Sequence, residues 1–256
     1  MKINTIYNED CLDTMARMPD GFVDLTVTSP PYDNLRSYKN KVGENWGEHI
    51  WKPIIKELFR VTKVGGVVVW VVGDATIKGS ETGTSFRQAL WAMDCGFRLH
   101  DTMIYHKNNP LPLHHNRYQP SFEYMFVFSN GRPEIFIPIK DICTYKHKEK
   151  RGYIRLPSGE TKQFNSDRGK RYKYRHNIFS YNLGKTSKHP AIYPDALAND
   201  HIISWSNPGD LVYDPFMGSG TTAKMSVLTG RNYVGSEISK EYCEIAEQRI
   251  SLIYHV

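Results

Sequence analysis

The junction between Leu211-Val212-Tyr213-Asp214 and Pro215-Phe216-Met217-Gly218-Ser219-Gly220-Thr221-Thr222 limits the fold more than any other part of the chain. A buried strand that breaks into a glycine loop and resumes as a helix belongs to layered α/β architecture. Here the helix runs to about Leu228, and a second strand at 232–237 ends in Glu237. The same alternation holds elsewhere. Residues 23–28 read as a short buried strand, and residues 48–63 carry Ile50, Ile54, Ile55, Leu58 and Val61 at helical spacing before Gly65-Gly66 stops the helix. Residues 67–72 are apolar on all sides, as a strand covered on both faces should be. A helix at 84–96, strands near 99–106 and 122–129, a helix at 194–206 and a last amphipathic helix at 239–253 complete the order, with no internal repeat. An α/β fold with a mostly parallel sheet follows.

The glycine loop narrows the ligand. Gly218 and Gly220 let a ligand approach the backbone closely, and an acidic residue ending the next strand, Glu237, can accept both ribose hydroxyl hydrogens. Gly218-x-Gly220-x-x-Ala223 also satisfies the loose dinucleotide fingerprint, so a nicotinamide oxidoreductase has to be considered. A carboxylate at Asp214, just before the loop, would repel a pyrophosphate but suits an ammonium group. The loop also lacks the lysine of a nucleoside triphosphate site. A nucleoside without phosphates and with a cationic amino-acid tail is S-adenosylmethionine.

A second site candidate is Ser29-Pro30-Pro31-Tyr32, directly after the strand at 23–28. Two prolines remove two N–H donors and fix φ, which leaves rigid carbonyls beyond the strand end. A rigid carbonyl beside a hydroxyl is an acceptor pair for an amino group, and Tyr32 offers a flat face for a base. Taken alone, the tetrapeptide could equally be a proline-terminated strand with an aromatic plug.

Charge is unevenly spread. The net charge is +6, yet residues 140–188 hold fourteen Lys or Arg against four Asp or Glu. Seven Tyr and Phe residues are interleaved there, which is the composition of a nucleic-acid surface. The longest apolar run, 67–72, is too short for a membrane span, and the N-terminal residues carry no signal-peptide pattern. Cys11, Cys95, Cys143 and Cys243 are widely spaced without a C-x-x-C pair, so reduced thiols and a cytoplasmic location are expected. His106, His114, His115 and His147 have no regular metal-ligand spacing, and no metal is expected.

Thr28-Ser29-Pro30-Pro31-Tyr32 together with Asp214-Pro215-Phe216-Met217-Gly218-Ser219-Gly220-Thr221-Thr222 resembles the DNA amino-methyltransferases that modify cytosine N4 or adenine N6. The order, with the Ser-Pro-Pro-Tyr motif first, the basic region next and the glycine loop last, is similar to the circularly permuted β group of that family. Asn8-Glu9-Asp10-Cys11-Leu12 resembles the family's N-terminal loop beside the cofactor adenine, and His189-Pro190-Ala191 resembles the segment over its methionine end. The resemblance implies a Rossmann-like, seven-stranded methyltransferase sheet with an antiparallel pair near 99–106 and 122–129. Residues 2–7 would then lie beside 232–237. It also implies a core of residues 1–139 and 189–256 and a basic target-recognition insertion at 140–188.

The same resemblance assigns catalysis to Ser29, Pro30, Pro31 and Tyr32. The cofactor falls to Asp10, Cys11, His189, Pro190, Ala191, Asp214, Pro215, Phe216, Gly218, Ser219, Gly220, Thr221, Thr222 and Glu237. No cysteine follows a proline, which argues against ring-carbon methylation through a thiolate. Ser at the first motif position is more often linked to cytosine N4 in this family, with adenine N6 the alternative. Double-stranded DNA is the implied partner, and a cognate restriction endonuclease and a homodimer are compatible with the resemblance. An RNA amino-methyltransferase and a non-catalytic nucleic-acid-binding module are the other readings of the basic segment.

Overall fold

The computed structural model describes residues 1–31, 46–110, 116–142, 150–166, 172–182 and 194–253. Strand β1 (Thr5–Tyr7) leads into helix α1 (Cys11–Ala16), followed by β2 (Val23–Thr28), α2 (Glu48–Val61) and β3 (Thr62–Val72). A small hairpin of β4 (Thr76–Ile77) and β5 (Ser80–Glu81) precedes α3 (Thr84–Asp94), β6 (Arg98–Lys107) and β7 (Phe122–Ser129). Four strands come next: β8 (Lys140–Ile142), β9 (Lys150–Arg155), β10 (Thr161–Ser166) and β11 (Tyr172–Tyr174). The chain ends with β12 (Ile178–Tyr181), α4 (Asp195–Trp205), β13 (Leu211–Asp214), α5 (Thr221–Leu228), β14 (Asn232–Ser236) and α6 (Lys240–Ser251). Two compact units result, Met1–Ile137 with Asn177–Val256, and Pro138–His176.

The larger unit is built on one sheet in the order β1-β14-β13-β2-β3-β7-β6-β12. All neighbours are parallel except at β7, which runs against both β3 and β6. The expected antiparallel pair is β6 with β7, and β1 does lie beside β14, with Thr5 opposite Val234. Among the described residues the sheet has eight strands rather than the seven expected. The extra one, β12, pairs parallel with β6 and buries Phe179 and Tyr181 on alternate positions. It falls inside the segment 140–188, so the structure draws the edge of the basic unit at His176. The alternation of β12 is only four residues long and is masked in sequence by the lysines and arginines around it.

Both faces of the sheet are covered, which explains the unbroken apolar run in β3. On one face α1, α2 and α3 bring Met15, Trp51, Ile54, Ile55, Leu58, Ala89 and Ala92 onto Val68, Trp70, Val72, Phe126 and Phe128. The buried Trp70 Nε1–H donates to Gln88 Oε1 at 2.9 Å, so the polar edge of the largest core side chain in β3 is paired. On the other face α5 and α6 pack Ala223, Ala246 and Ile250 with Ile6, Met217 and Tyr233. The Gly65-Gly66 pair does not stop α2, which already ends at Val61; it lies inside β3. There the β2–β3 pairing jumps from Val23↔Thr62 to Leu25↔Val67, and a Cβ on Gly66 would stand 2.9 Å from the Asp24 carbonyl oxygen. The glycines therefore serve a bulge. None of the described helices is long and apolar enough to cross a membrane.

In the smaller unit β9 and β10 form one antiparallel pair and β8 and β11 another, the latter tied by an Arg175–Asp141 ion pair at 3.1 Å.

Trp51 is 1% exposed at the centre of the α2 contact, whereas Leu90 on α3 is 61% exposed. In urea unfolding, Trp51→Ala should cost about 3–5 kcal/mol, and Leu90→Ala should stay within about 0.5 kcal/mol of the parent.

Candidate active site

The crossovers of the sheet leave in opposite directions from the boundary between β2 and β13. From β2 the chain passes through α2 to β3 on one side, and from β13 through α5 to β14 on the other. In open parallel sheets, ligands bind outside the carboxyl ends of the strands at such a switch point. Both motifs singled out in the sequence begin there: Ser29-Pro30-Pro31 follows Thr28 at the end of β2, and residues 215–220 follow Asp214 at the end of β13.

Asp214 is fully buried and joins the two strand ends. Its Oδ1 accepts from the Thr28 hydroxyl at 2.6 Å and from the Phe216 N–H at 3.0 Å, and its Oδ2 accepts from the Thr222 hydroxyl at 2.6 Å. Thr28 and Thr222 are themselves buried. The carboxylate thus ties strand β2, the glycine loop and helix α5 at one point. Both of its oxygens accept hydrogen bonds from the protein.

The loop is fixed from below as well. Gly220 caps α5 in the left-handed region at φ +82°, and a Cβ there would come within 2.7 Å of the Ala246 Cβ on α6. Only glycine meets both demands. Arg249 on α6 donates to the Ser219 carbonyl at 2.6 Å and to its hydroxyl at 3.0 Å, and lies 3.3 Å from Asp195 on α4. Lys224 binds the same Asp195 at 2.6 Å. Ser219 and Thr221 are buried on this side, and Pro215 is buried too. Phe216 packs edge-on against Trp46 and Trp70, with ring centroids 5.6 and 6.1 Å away.

Glu237, just past β14, is held rather than free. Its Oε2 accepts the Gly218 N–H and its Oε1 the Ser239 N–H, each at 2.8 Å. A carboxylate has about four acceptor positions, so capacity remains on each oxygen for further donors. Burial is the leading influence on its acidity and raises its pKa above the ordinary carboxylate value, against the lowering effect of the two N–H groups. The Asn8 amide donates to the Glu237 and Ile238 carbonyls at 2.8 and 3.0 Å, which ties the loop after β1 to this strand end.

Asp10 is exposed and caps α1 through the Leu12 N–H at 2.8 Å. Cys11 turns its thiol into the core, where burial raises its pKa strongly. Ser29 is half-buried, Pro30 buried and Pro31 half-buried. Tyr32, His189, Pro190 and Ala191 lie outside the described residues, as do His114, His115, His147 and Cys143. His106 sits 3.3 Å from the Ser180 hydroxyl, and no group of three His, Cys, Asp or Glu gathers among the described residues.

The sequence reading missed Asn8 as a brace for Glu237, Arg249 as the support of the loop, and Thr28 as a partner of Asp214. Arg249 carries no local signal, because its partners are 28 to 54 positions away.

Removing either hydroxyl from the buried carboxylate should be costly. Thr222→Val and Thr28→Val should each lose about 1.5–3 kcal/mol in urea unfolding, the usual range for a hydrogen bond to a charged group. The double variant should depart from additivity, since both groups serve one carboxylate.

The DNA methylase family model matches residues 23–248. In sequence the chain is 50% identical over 243 residues to a protein named orphan methyltransferase M.BamHII from Bacillus amyloliquefaciens, across 90% of this chain and 89% of that one. It is 29% identical over 254 residues to the type II methyltransferase M.BglII from Bacillus subtilis, across 97% and 69% of the two chains. The fold is similar to that of PvuII DNA methyltransferase, described as cytosine-N4-specific, with a TM-score of 0.71, 21% identity and coverage of 98% and 91%. It is also similar to a putative DNA modification methylase from Thermus thermophilus solved with S-adenosyl-L-methionine, with a TM-score of 0.67, 23% identity and coverage of 96% and 93%. The family match takes in both strand ends joined by Asp214, and the chain belongs to the DNA methylase family of N6/N4 amino-methyltransferases.

Proposed function

We propose that this chain transfers a methyl group from S-adenosylmethionine to the exocyclic N4 of a cytosine flipped out of duplex DNA. The observation that carries the reading is the Asp214 junction, which holds the strand end before Ser29 against the strand end before the glycine loop. Acceptor for the amine and cradle for the cofactor thereby share one crevice.

The residues present fit the cofactor. Glu237 retains acceptor capacity for two ribose hydroxyls, and the loop of Pro215, Phe216, Gly218, Ser219, Gly220, Thr221 and Thr222 is locked by Arg249. By the family resemblance Asp10 and Cys11 would take the adenine side, and His189, Pro190 and Ala191, outside the described residues, would take the methionine side. Asp214 acts as the anchor of the loop and lends its charge to the ammonium end. The bound cofactor supplies an electrophilic methyl group.

The chain's own part is to ready the base. The Ser29 hydroxyl and the Pro30 carbonyl accept the N–H hydrogens of the amine, which favours the pyramidal nitrogen that can attack. Pro30 is buried, so its carbonyl is rigid, and Pro31 has no N–H to compete. Tyr32 stacks on the extruded base, and unstacking costs about a few kcal/mol. In-line positioning then supplies much of the acceleration. No protein nucleophile takes part: burial raises the Cys11 thiol and pushes Cys243 up to about 11, so neither is a ready thiolate.

The first position of Ser-Pro-Pro-Tyr favours cytosine over adenine, in line with the cytosine-N4-specific protein of similar fold. The motif order supports the permuted β group. The Pro138–His176 unit, with twelve Lys or Arg against four Asp or Glu, meets the DNA backbone. This chemistry needs one chain and one duplex in the cytoplasm; a restriction endonuclease or a second copy would be an addition to it.

Single-molecule sequencing of DNA from cells expressing the chain should reveal one modified motif containing N4-methylcytosine, absent with Ser29→Ala. Modified adenine in its place would overturn the choice of base, and unmodified DNA beside soluble protein would overturn the DNA reading. In vitro, Ser29→Ala should lower kcat by about 10²-fold or more, as loss of a transition-state hydrogen bond does, with cofactor affinity unchanged.

The raised pKa of Glu237 also sets a pH dependence. The folded chain holds this proton more tightly than the unfolded one, so the group favours folding at low pH and loses that contribution as pH rises through its raised pKa. Cofactor binding has the opposite sense, because ribose hydroxyls donate to the ionised form. Affinity measured calorimetrically as the pH is lowered should be full above the raised pKa and weaken as pH falls through it. Glu237→Gln should bind more weakly at high pH and flatten the curve.

A further inference from the structure

We propose that one face of the β9–β10 ribbon reads base edges in the major groove, and that Arg155 and Gln163 on it set the recognition sequence. The inference rests on the methyltransferase reading above and goes further, since that reading leaves the recognition residues unassigned.

The described residues of the Pro138–His176 unit form strands and no helix. The major groove of B-DNA admits either a helix or a two-stranded ribbon, and a ribbon is the element the described residues of this unit offer. The β8–β11 ladder is short, and its Arg175 is engaged with Asp141. The β9–β10 ribbon is six residues long on each strand and closes through a turn at 156–160. Two backbone bonds firm that turn, Leu156 N–H to the Glu160 carbonyl at 2.7 Å and Gly159 N–H to the Leu156 carbonyl at 2.8 Å.

Register divides the ribbon into unlike faces. Tyr153 lies opposite Gln163 and Arg155 opposite Thr161, while Ile154 lies opposite Lys162. Because successive side chains alternate between faces, Tyr153, Gln163, Arg155 and Thr161 share one face and Ile154 and Lys162 the other. The four described residues of the first face all carry groups that hydrogen-bond, and all four are exposed, as are Ile154 and Lys162 on the other. Arg is the bidentate partner of guanine O6 and N7, and Gln of adenine N6 and N7; Thr meets either base or a thymine methyl group. Arg155 Nε reaches the Gly159 carbonyl at 3.4 Å, a long contact within the ribbon's own turn. Tyr153 is 69% exposed and lies opposite Gln163 in the ladder.

Spacing agrees with this use. Rows two residues apart on one face are separated by about 7 Å, which is roughly two base-pair steps of about 3.4 Å. Arg155 and Gln163 therefore address different positions in the recognition sequence.

The test is single-molecule sequencing of a random-sequence duplex library methylated by the purified chain and by Arg155→Ala, Gln163→Ala, Gln163→Glu and Lys162→Ala. Arg155→Ala and Gln163→Ala should each relax one position of the motif, not the same one, with loss of about ten- to hundredfold discrimination. Gln163→Glu, of equal size but without the amide donor, should shift its position toward cytosine, whose N4 amino group donates. Lys162→Ala, on the opposite face, should keep the motif and weaken all sites alike with a shallower salt dependence. If both alanine variants methylate the parental motif unchanged, or lose activity uniformly at every site, the ribbon face does not read sequence and the proposal falls by itself. If the intact chain methylates no DNA, it falls together with the reading on which it rests.

Discussion

A carboxylate sealed in the sheet holds this protein's working edge together. Asp214 meets Thr28, Thr222 and the Phe216 N–H where no water competes. A buried charge is expensive unless it is hydrogen-bonded, and costly again when a partner is removed. These donors come from a strand, a helix and a loop, so the pairing of the charge depends on all three elements being in place. Its position then decides where the peptide after β2 and the glycine loop after β13 emerge.

The rest of the larger unit supports that junction. Opposite crossovers from β2 and β13 put the carboxyl ends of these two strands at the switch point of the sheet. Arg249 and Lys224, gathered on Asp195, bind α4, α5 and α6 under the glycine loop. Glu237 closes the other side through two backbone N–H groups, with Asn8 behind it. The same preorganisation that stabilises the loop limits the motion of whatever it holds.

How much was legible in the sequence follows from how local each feature is. The β13–loop–α5–β14 unit could be read because strand, glycine loop, helix and terminal acid fall within 27 consecutive residues, 211–237. The covered strand β3 was visible in its valines; β6 and β7 were expected as strands near 99–106 and 122–129, and their antiparallel pairing came only from the resemblance. The function of Asp214 could not be read, because its partner Thr28 is 186 positions away and a carboxylate before a glycine loop suits a ligand equally well. β12 was hidden by the charges around it, and Gly65-Gly66 looked like a helix stop because a bulge and a helix end ask for the same residue. Glu237 was placed correctly at a strand end, yet its two backbone donors depend on the loop conformation and not on composition.

The pairing of β1 with β14 has a bearing on how the molecule is made. β1 and β2 are neighbours in the chain, but β14 and β13 stand between them in the sheet. The ribosome therefore releases two strands with a gap two strands wide, and the residues that fill it arrive only at 211–236. At ordinary synthesis speed that wait lasts roughly 10–40 s. Throughout it, the facing edges of β1 and β2 lack their ladder partners, the condition in which sheet edges recruit foreign strands. The strand order that sets up the candidate active site thus leaves two early strands short of ladder partners until the last two strands slot in.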